Sequence, residues 1–81
     1  MAITKEEIVG TKIICEIKSS NLQKATYDTS NRKLIVEFNN GLAYEYEDVP
    51  HQTFVGMRTS QSQGSFFSKN IAKKFNYKKL D

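Results

Sequence analysis

The chain reads as a small α+β domain, an antiparallel β-meander of three to four strands packed against two C-terminal helices. Three observations predict it. Two runs of alternating character, residues 33–38 and 42–47, flank Asn39-Asn40-Gly41, a hairpin signal. Asp48-Val49-Pro50 marks a helix start, because proline in the first turn gives up an N–H that has no helical partner. Further on, Phe67, Ile71 and Phe75 recur at i, i+4 and i+8, one face of a second helix.

The elements follow in order. Residues 3–8 fit a short helical turn, with Thr4 as cap, Glu7 as its reciprocal partner and Gly10 as terminator. Residues 11–17 carry β-branched Thr11, Ile13, Ile14 and Ile17 and read as a strand or extended arm. A polar break at Ser19-Ser20-Asn21 leads to a strand at 22–27, which Asp28-Thr29-Ser30-Asn31 ends.

For the 33–47 hairpin, turn length decides which side chains share a face. A two-residue Asn40-Gly41 turn mixes apolar and charged residues on both faces. A three-residue loop with left-handed Gly41 in a bulge opposes Phe38 and Leu42. It gathers Leu34, Val36, Phe38, Leu42, Tyr44 and Tyr46 on one face and leaves Glu37, Ala43, Glu45 and Glu47 on the other. A one-residue slip reverses every side chain, so the segregated pattern selects the bulge.

The first helix runs to about Ser60 on Phe54 and Met57, and Gly56 within it implies close packing, since glycine weakens a helix interior. Residues 60–64 form a break, residues 65–75 the second helix, and Tyr77 and Leu80 pack the tail back.

With 81 residues and 38% hydrophobic composition, one core of modest size is expected. No apolar run approaches the roughly 20 residues of a membrane span. The start lacks the basic-then-apolar layout of a secretory signal, and Cys15 is the single cysteine. A cytoplasmic location is therefore expected. One cysteine and one histidine argue against a protein-built zinc site, and no cofactor is implied.

Charge is unevenly distributed. Up to Ser65, seven basic residues meet eight acidic ones; from Phe66 onward Lys69, Lys73, Lys74, Lys78 and Lys79 face Asp81 alone. A phosphate-facing element has this asymmetry, and so does a solvated helix face with lysines at its C-terminal pole.

Taken in order, Ser19-Ser20-Asn21-Leu22, Tyr27-Asp28, Leu34-x-Val36-x-Phe38, Gly41-x-x-Tyr44-x-Tyr46-x-x-Val49-Pro50, Phe54, Ser62-x-Gly64-x-Phe66-Phe67 and Ile71 resemble the KTSC domain. This small module is named for its place at the C-terminus of some lysyl-tRNA synthetases and also occurs as stand-alone proteins in bacteria and phages. The resemblance implies a domain over residues 19–81, preceded by an extension at 1–18. It also implies a Tyr-x-Tyr centre at Tyr44 and Tyr46, a suggested affinity for RNA, and no enzymatic activity. The chain departs from the family pattern at Ser68, where an asparagine is usual.

The leading expectation is a non-enzymatic binding module for a phosphate-bearing ligand, RNA or a nucleotide. Gly64 and Ser65 would offer backbone N–H groups at a helix start, with Lys69, Lys73 and Lys74 supplying charge. The same residues also fit a plain helix cap. Phe66, off the Phe67/Ile71 stripe, and the edges of Tyr44 and Tyr46 would stack on bases, although the hairpin register turns both tyrosines toward the core. His51 has no sequence-adjacent catalytic partner, and Cys15 fits a buried small side chain. The competing expectation is a protein-interaction module, a homodimer through the N-terminal strand.

Overall fold

A computed structural model of the chain describes residues 2–19 and 21–80, with side chains from residue 5 onward. The fold is α+β. Its six-stranded antiparallel sheet follows chain order: β1 (Ala2–Val9), β2 (Lys12–Lys18), β3 (Leu22–Asp28), β4 (Lys33–Phe38), β5 (Ala43–Tyr46) and β6 (Tyr77–Leu80). Helices α1 (His51–Thr59) and α2 (Gln63–Asn70) lie between β5 and β6 in the chain.

Two strands exceed the expected three to four, one at each edge. Residues 3–8 form a strand, not a helical turn. An isolated turn of helix fixes many dihedrals for few hydrogen bonds. Pairing with β2 instead engages the whole segment, from Ala2 opposite Lys18 to Val9 opposite Lys12. Gly10 starts the two-residue Gly10-Thr11 loop at φ +62°, a left-handed position suited to glycine. The Thr4 cap falls on a side chain outside the described ones.

At the other edge, the tail pairs with β5, Tyr77 opposite Tyr46 and Leu80 opposite Ala43. The second helix is correspondingly shorter than 65–75. It begins at Gln63 and ends at Asn70, and irregular turns carry residues 71–75. There the N–H groups of Lys74 and Phe75 donate to the carbonyl of Ile71. Ile71 remains buried and Phe75 packs at the core margin, so the apolar stripe outlasts the helix.

The central hairpin has the bulged register. The N–H of Phe38 donates to the Leu42 carbonyl at 2.8 Å, and that of Gly41, at φ +90°, to the Phe38 carbonyl at 3.0 Å. Val36 then opposes Tyr44 and Leu34 opposes Tyr46.

Both helices pack on one sheet face. The core joins Cys15, Ile17, Leu22, Ala25, Tyr27, Leu34, Val36 and Tyr46 from the strands to Val49, Phe54, Met57, Phe67 and Ile71. Tyr27 is at its centre. Its ring stacks on Phe54 at 4.7 Å and its hydroxyl donates to the Val49 carbonyl at 2.6 Å. Pro50 takes the N-cap position of α1, and its carbonyl accepts from the N–H groups of Thr53 and Phe54. The opposite sheet face carries cross-strand charge pairs, Glu16 opposite Lys24, Lys24 opposite Glu37 and Glu45 opposite Lys78.

Gly56 is explained by its neighbour: a Cβ built there lies 2.8 Å from Cζ of Phe66. Gly56→Ala is expected to destabilise the protein by about 1 kcal/mol, because crowding outweighs the gain in helix propensity. In a Phe66→Ala background the same change should stabilise, since propensity then acts alone. Denaturant titration of the four proteins checks the cycle; equal effects in both backgrounds would contradict the contact.

Cys15 is almost fully buried. Burial first, and then the nearby Glu6 carboxylate, push its thiol from 9.0 to about 11, against an opposing pull from Arg58. Its thiolate fraction at pH 8 is then about a hundredfold below that of the unfolded chain. Iodoacetamide should accordingly modify the native protein at least that much more slowly than the denatured protein. Comparable rates would contradict the burial.

Candidate functional site

The junction between α1 and α2 holds the helix start expected to bind an anion, and the chain uses its donors internally. Ser62 caps α2, its Oγ accepting from the N–H of Ser65 at 3.3 Å. Gly64 is buried. A Cβ there lies 2.6 Å from Oδ1 of Asn21 and 3.2 Å from Oγ of Ser19, so the Ser19–Asn21 side chains lie over the helix start. Gln63 is buried too, its Nε2 donating to the Ser60 carbonyl at 2.9 Å. The cap reading describes Gly64 and Ser65 better than an open phosphate cradle does.

Phe66 is not an exposed stacking platform. It is partly buried, packed at the core margin with its ring against Gly56. The i, i+1 offset from Phe67 pointed Phe66 away from the sheet, but the neighbouring helix α1 covers that side. Tyr46 is buried between Phe67 at 5.3 Å and Tyr77 at 5.4 Å. Desolvation, reinforced by the neighbouring Tyr77 and Tyr44 hydroxyls, raises its pKa, so it stays neutral at ordinary pH. Tyr44 is half-buried, edge-on to both Phe38 and Tyr77. The tyrosine pair is therefore chiefly an aromatic joint between β5, α2 and β6.

The lysines are placed differently. Lys69 lies in the last turn of α2, and Lys73 and Lys74 lie in the turns beyond it; all three are exposed. Lys78 approaches Glu45 at 3.4 Å, and Lys33 reaches the same carboxylate at 3.8 Å. Among the described residues, Lys69, Lys73, Lys74 and Lys79 make no ion pair.

Sequence reasoning missed a depression of about 250 Å³ lined by Asn21, Phe38, Asn39 and Asn40. The loop after β2 and the tip of the β4–β5 hairpin meet here. The N–H of Asn39 donates to the Asn21 carbonyl at 2.8 Å, and Nδ2 of Asn39 donates to the Ser19 carbonyl at 3.0 Å. Oδ1 of Asn21 accepts from the Ser19 hydroxyl at 3.1 Å, and Oδ1 of Asn40 accepts from the Leu42 N–H at 3.1 Å. Phe38 supplies the aromatic wall, set edge-on against Tyr44 and Phe67. One sign was present in the sequence, Ser19 and Asn21 within the motif series, but it read only as a break between strands.

Other titratable groups stand apart from this depression. His51 is exposed, its ring 5.8 Å from that of Tyr27. Among the described residues, no group of three or more His, Cys, Asp and Glu is arranged to hold a metal ion. No helix among them is long and apolar enough to cross a membrane.

The comparisons with known proteins agree with one another. A family model described as the KTSC domain matches residues 18–75. A lysine–tRNA ligase of Trichormus variabilis is 32% identical over 63 residues, and one of Nostoc punctiforme is 30% identical over 63. Those residues are 78% of this chain but only 11% of either ligase. The crystal structure of a KTSC domain protein from Yersinia pestis matches with a TM-score of 0.79 and 30% identity, covering 86% of this chain and 99% of that one. With the motif series, the sheet and both helices in place, the chain belongs to the KTSC domain family.

Proposed function

We propose that this chain is a non-catalytic binding module for a phosphate-bearing ligand, RNA or a nucleotide. The observation that carries this reading is the exposed set Lys69, Lys73, Lys74 and Lys79, which makes no ion pair among the described residues, in contrast to the Arg58–Glu6 and Lys33–Glu45 pairs elsewhere. Unneutralised lysines on one segment attract polyanions and release counterions when they bind. The relatives lend support, since lysine–tRNA ligases act on an RNA. In a stand-alone domain from a bacterium or phage, the same charge would allow a nucleotide signal to be sequestered. The charge contact in this reading lies along the end of α2 and the turns after it, rather than at Gly64 and Ser65.

A second reading, a homodimer without nucleic-acid binding, rests on the first strand. β1 is an edge, and among the described residues nothing pairs with its outer side. Ile8 is 71% exposed and Val9 53%, whereas the opposite edge, β6, is four residues long and carries Lys78 and Lys79. Short, lysine-bearing edges resist pairing with another chain, and long edges with exposed apolar residues invite it. A second copy added antiparallel about Glu6 sets each Lys5 opposite the other copy's Glu7.

Binding of a labelled single-stranded RNA of mixed sequence tests the first reading. If three lysines contact phosphate, affinity should fall roughly twentyfold between about 50 and 200 mM salt. The triple variant Lys69→Glu, Lys73→Glu, Lys74→Glu should bind at least about tenfold more weakly and with a flatter salt slope. Unchanged affinity in that variant would overturn the proposal. For the second reading, native mass spectrometry at micromolar protein should give dimers that Ile8→Lys or Glu7→Lys converts to monomers. A wild-type monomer would remove it.

A further inference from the structure

We propose that Tyr77 is a stacking platform for one base of the bound RNA or nucleotide, with Lys79 on the same face of β6 holding the adjoining phosphate. The inference rests on the reading of the chain as an RNA or nucleotide binder and assigns the base contact within it.

Among the described residues, Tyr77 is the one tyrosine or phenylalanine that stays exposed, at 58%. The others are buried or partly buried, in the core or at its margin. A large aromatic side chain left in water forgoes the burial that would otherwise stabilise the fold. Tyr77 is nonetheless held in place. Its ring lies 5.4 Å from that of Tyr46 and edge-on to Tyr44 at 5.6 Å, and its backbone pairs with β5 opposite Tyr46. These contacts limit the rotamers the ring can adopt, so less side-chain freedom is lost when a base stacks on it.

Alternation along β6 sorts its two lysines. Lys78 lies on the opposite sheet face and approaches Glu45 at 3.4 Å. Lys79 is two residues from Tyr77, on the same face and about 7 Å along the strand, and makes no ion pair among the described residues. Chain connectivity brings further charge near the ring. Lys74 precedes Tyr77 by three residues and Lys73 by four, so even a fully extended chain keeps their Cα atoms within about 11 and 14 Å of it. An exposed ring among such lysines is how single strands are commonly held, with bases on aromatic side chains and the backbone on cations. Every base has a π-face, so this platform separates a base from bare phosphate rather than one base from another.

Fluorescence anisotropy with labelled hexaadenylate and an abasic hexamer of the same ribose-phosphate backbone tests the assignment. The wild type should bind hexaadenylate about tenfold more tightly, the worth of one stacked base. Tyr77→Phe should keep that preference, and Tyr77→Leu should reduce it to about twofold while leaving the abasic affinity unchanged. Lys79→Gln should weaken both oligomers alike and keep the preference. Because the chain has no tryptophan, Tyr77→Trp adds a single reporter at the site: hexaadenylate should quench its emission and the abasic hexamer should not. Should Tyr77→Leu also lose the abasic hexamer, the tryptophan result decides alone. A preference that survives Tyr77→Leu, or equal quenching by both oligomers, would overturn the platform. Salt-sensitive wild-type binding of equal strength to both would overturn it too and leave the phosphate reading intact. Absence of binding to either would remove both readings.

Discussion

The fold depends on one buried hydroxyl. Tyr27, in the middle of β3, lies entirely within the core, and its phenol reaches across to the carbonyl of Val49, where the chain leaves the sheet for α1. That carbonyl has no ladder partner among the described hydrogen bonds, and a buried carbonyl left unmatched costs more than an ordinary hydrogen bond contributes. Burial raises the Tyr27 pKa, a cost only the ionised form would meet, so the proton is held for donation. The ring stacks on Phe54 at an interplanar angle of 8°, so one side chain sets both where α1 begins and how far it stands from the sheet. Met57, Gly56 and the Phe66 ring then take positions determined by that first contact, and α2 follows.

From this arrangement the proposed binding surface follows. Gly64 lies beneath Asn21, so the loop after β2 packs directly on the start of α2. The hairpin tip is tied to the same loop through Asn39, which bonds by backbone and side chain at once. Three segments distant in the chain thus meet around Phe38. The polar side chains of Ser19, Asn21 and Asn39 fasten these segments together. Beyond α2, Lys73, Lys74 and Lys79 add exposed charge that makes no ion pair among the described residues.

Much of the fold was legible because local rules agreed. Gly41 and the alternation on either side of it permit only one segregated register, and Val36 opposite Tyr44 follows. Pro50 and the Phe54/Met57 pair marked α1 within a residue. The edges were harder for a physical reason. Residues 2–9 contain too few apolar positions to distinguish a helical period from a strand period, and only the partner β2 decides between them. Tyr77-Lys78-Lys79-Leu80 has little strand character of its own; its conformation comes from the aromatic pairing of Tyr77 with Tyr44 and Tyr46. In α2 the apolar stripe misled because Ile71 can stay buried after the helix has ended. The lysines could be read from charge alone. The depression could not, because its walls come from residues 21 and 38–40, and nothing in their spacing announces that they meet.

The pairing of β6 with β5 has a consequence for the order in which the molecule can assemble. Strands β1 to β5 are joined by short turns and can zip as the chain leaves the ribosome, each pairing with a neighbour already made. Tyr46 must wait for Tyr77, thirty-one residues later, before its outer edge is covered. Until then the segment bearing both helices is an open loop, with the aromatic face of β5 exposed to solvent. The final clasp therefore converts a free loop into a closed ring of chain. A nascent domain halted just short of it would carry a complete meander, hairpin-side depression included, with the basic segment after α2 not yet clasped to β5.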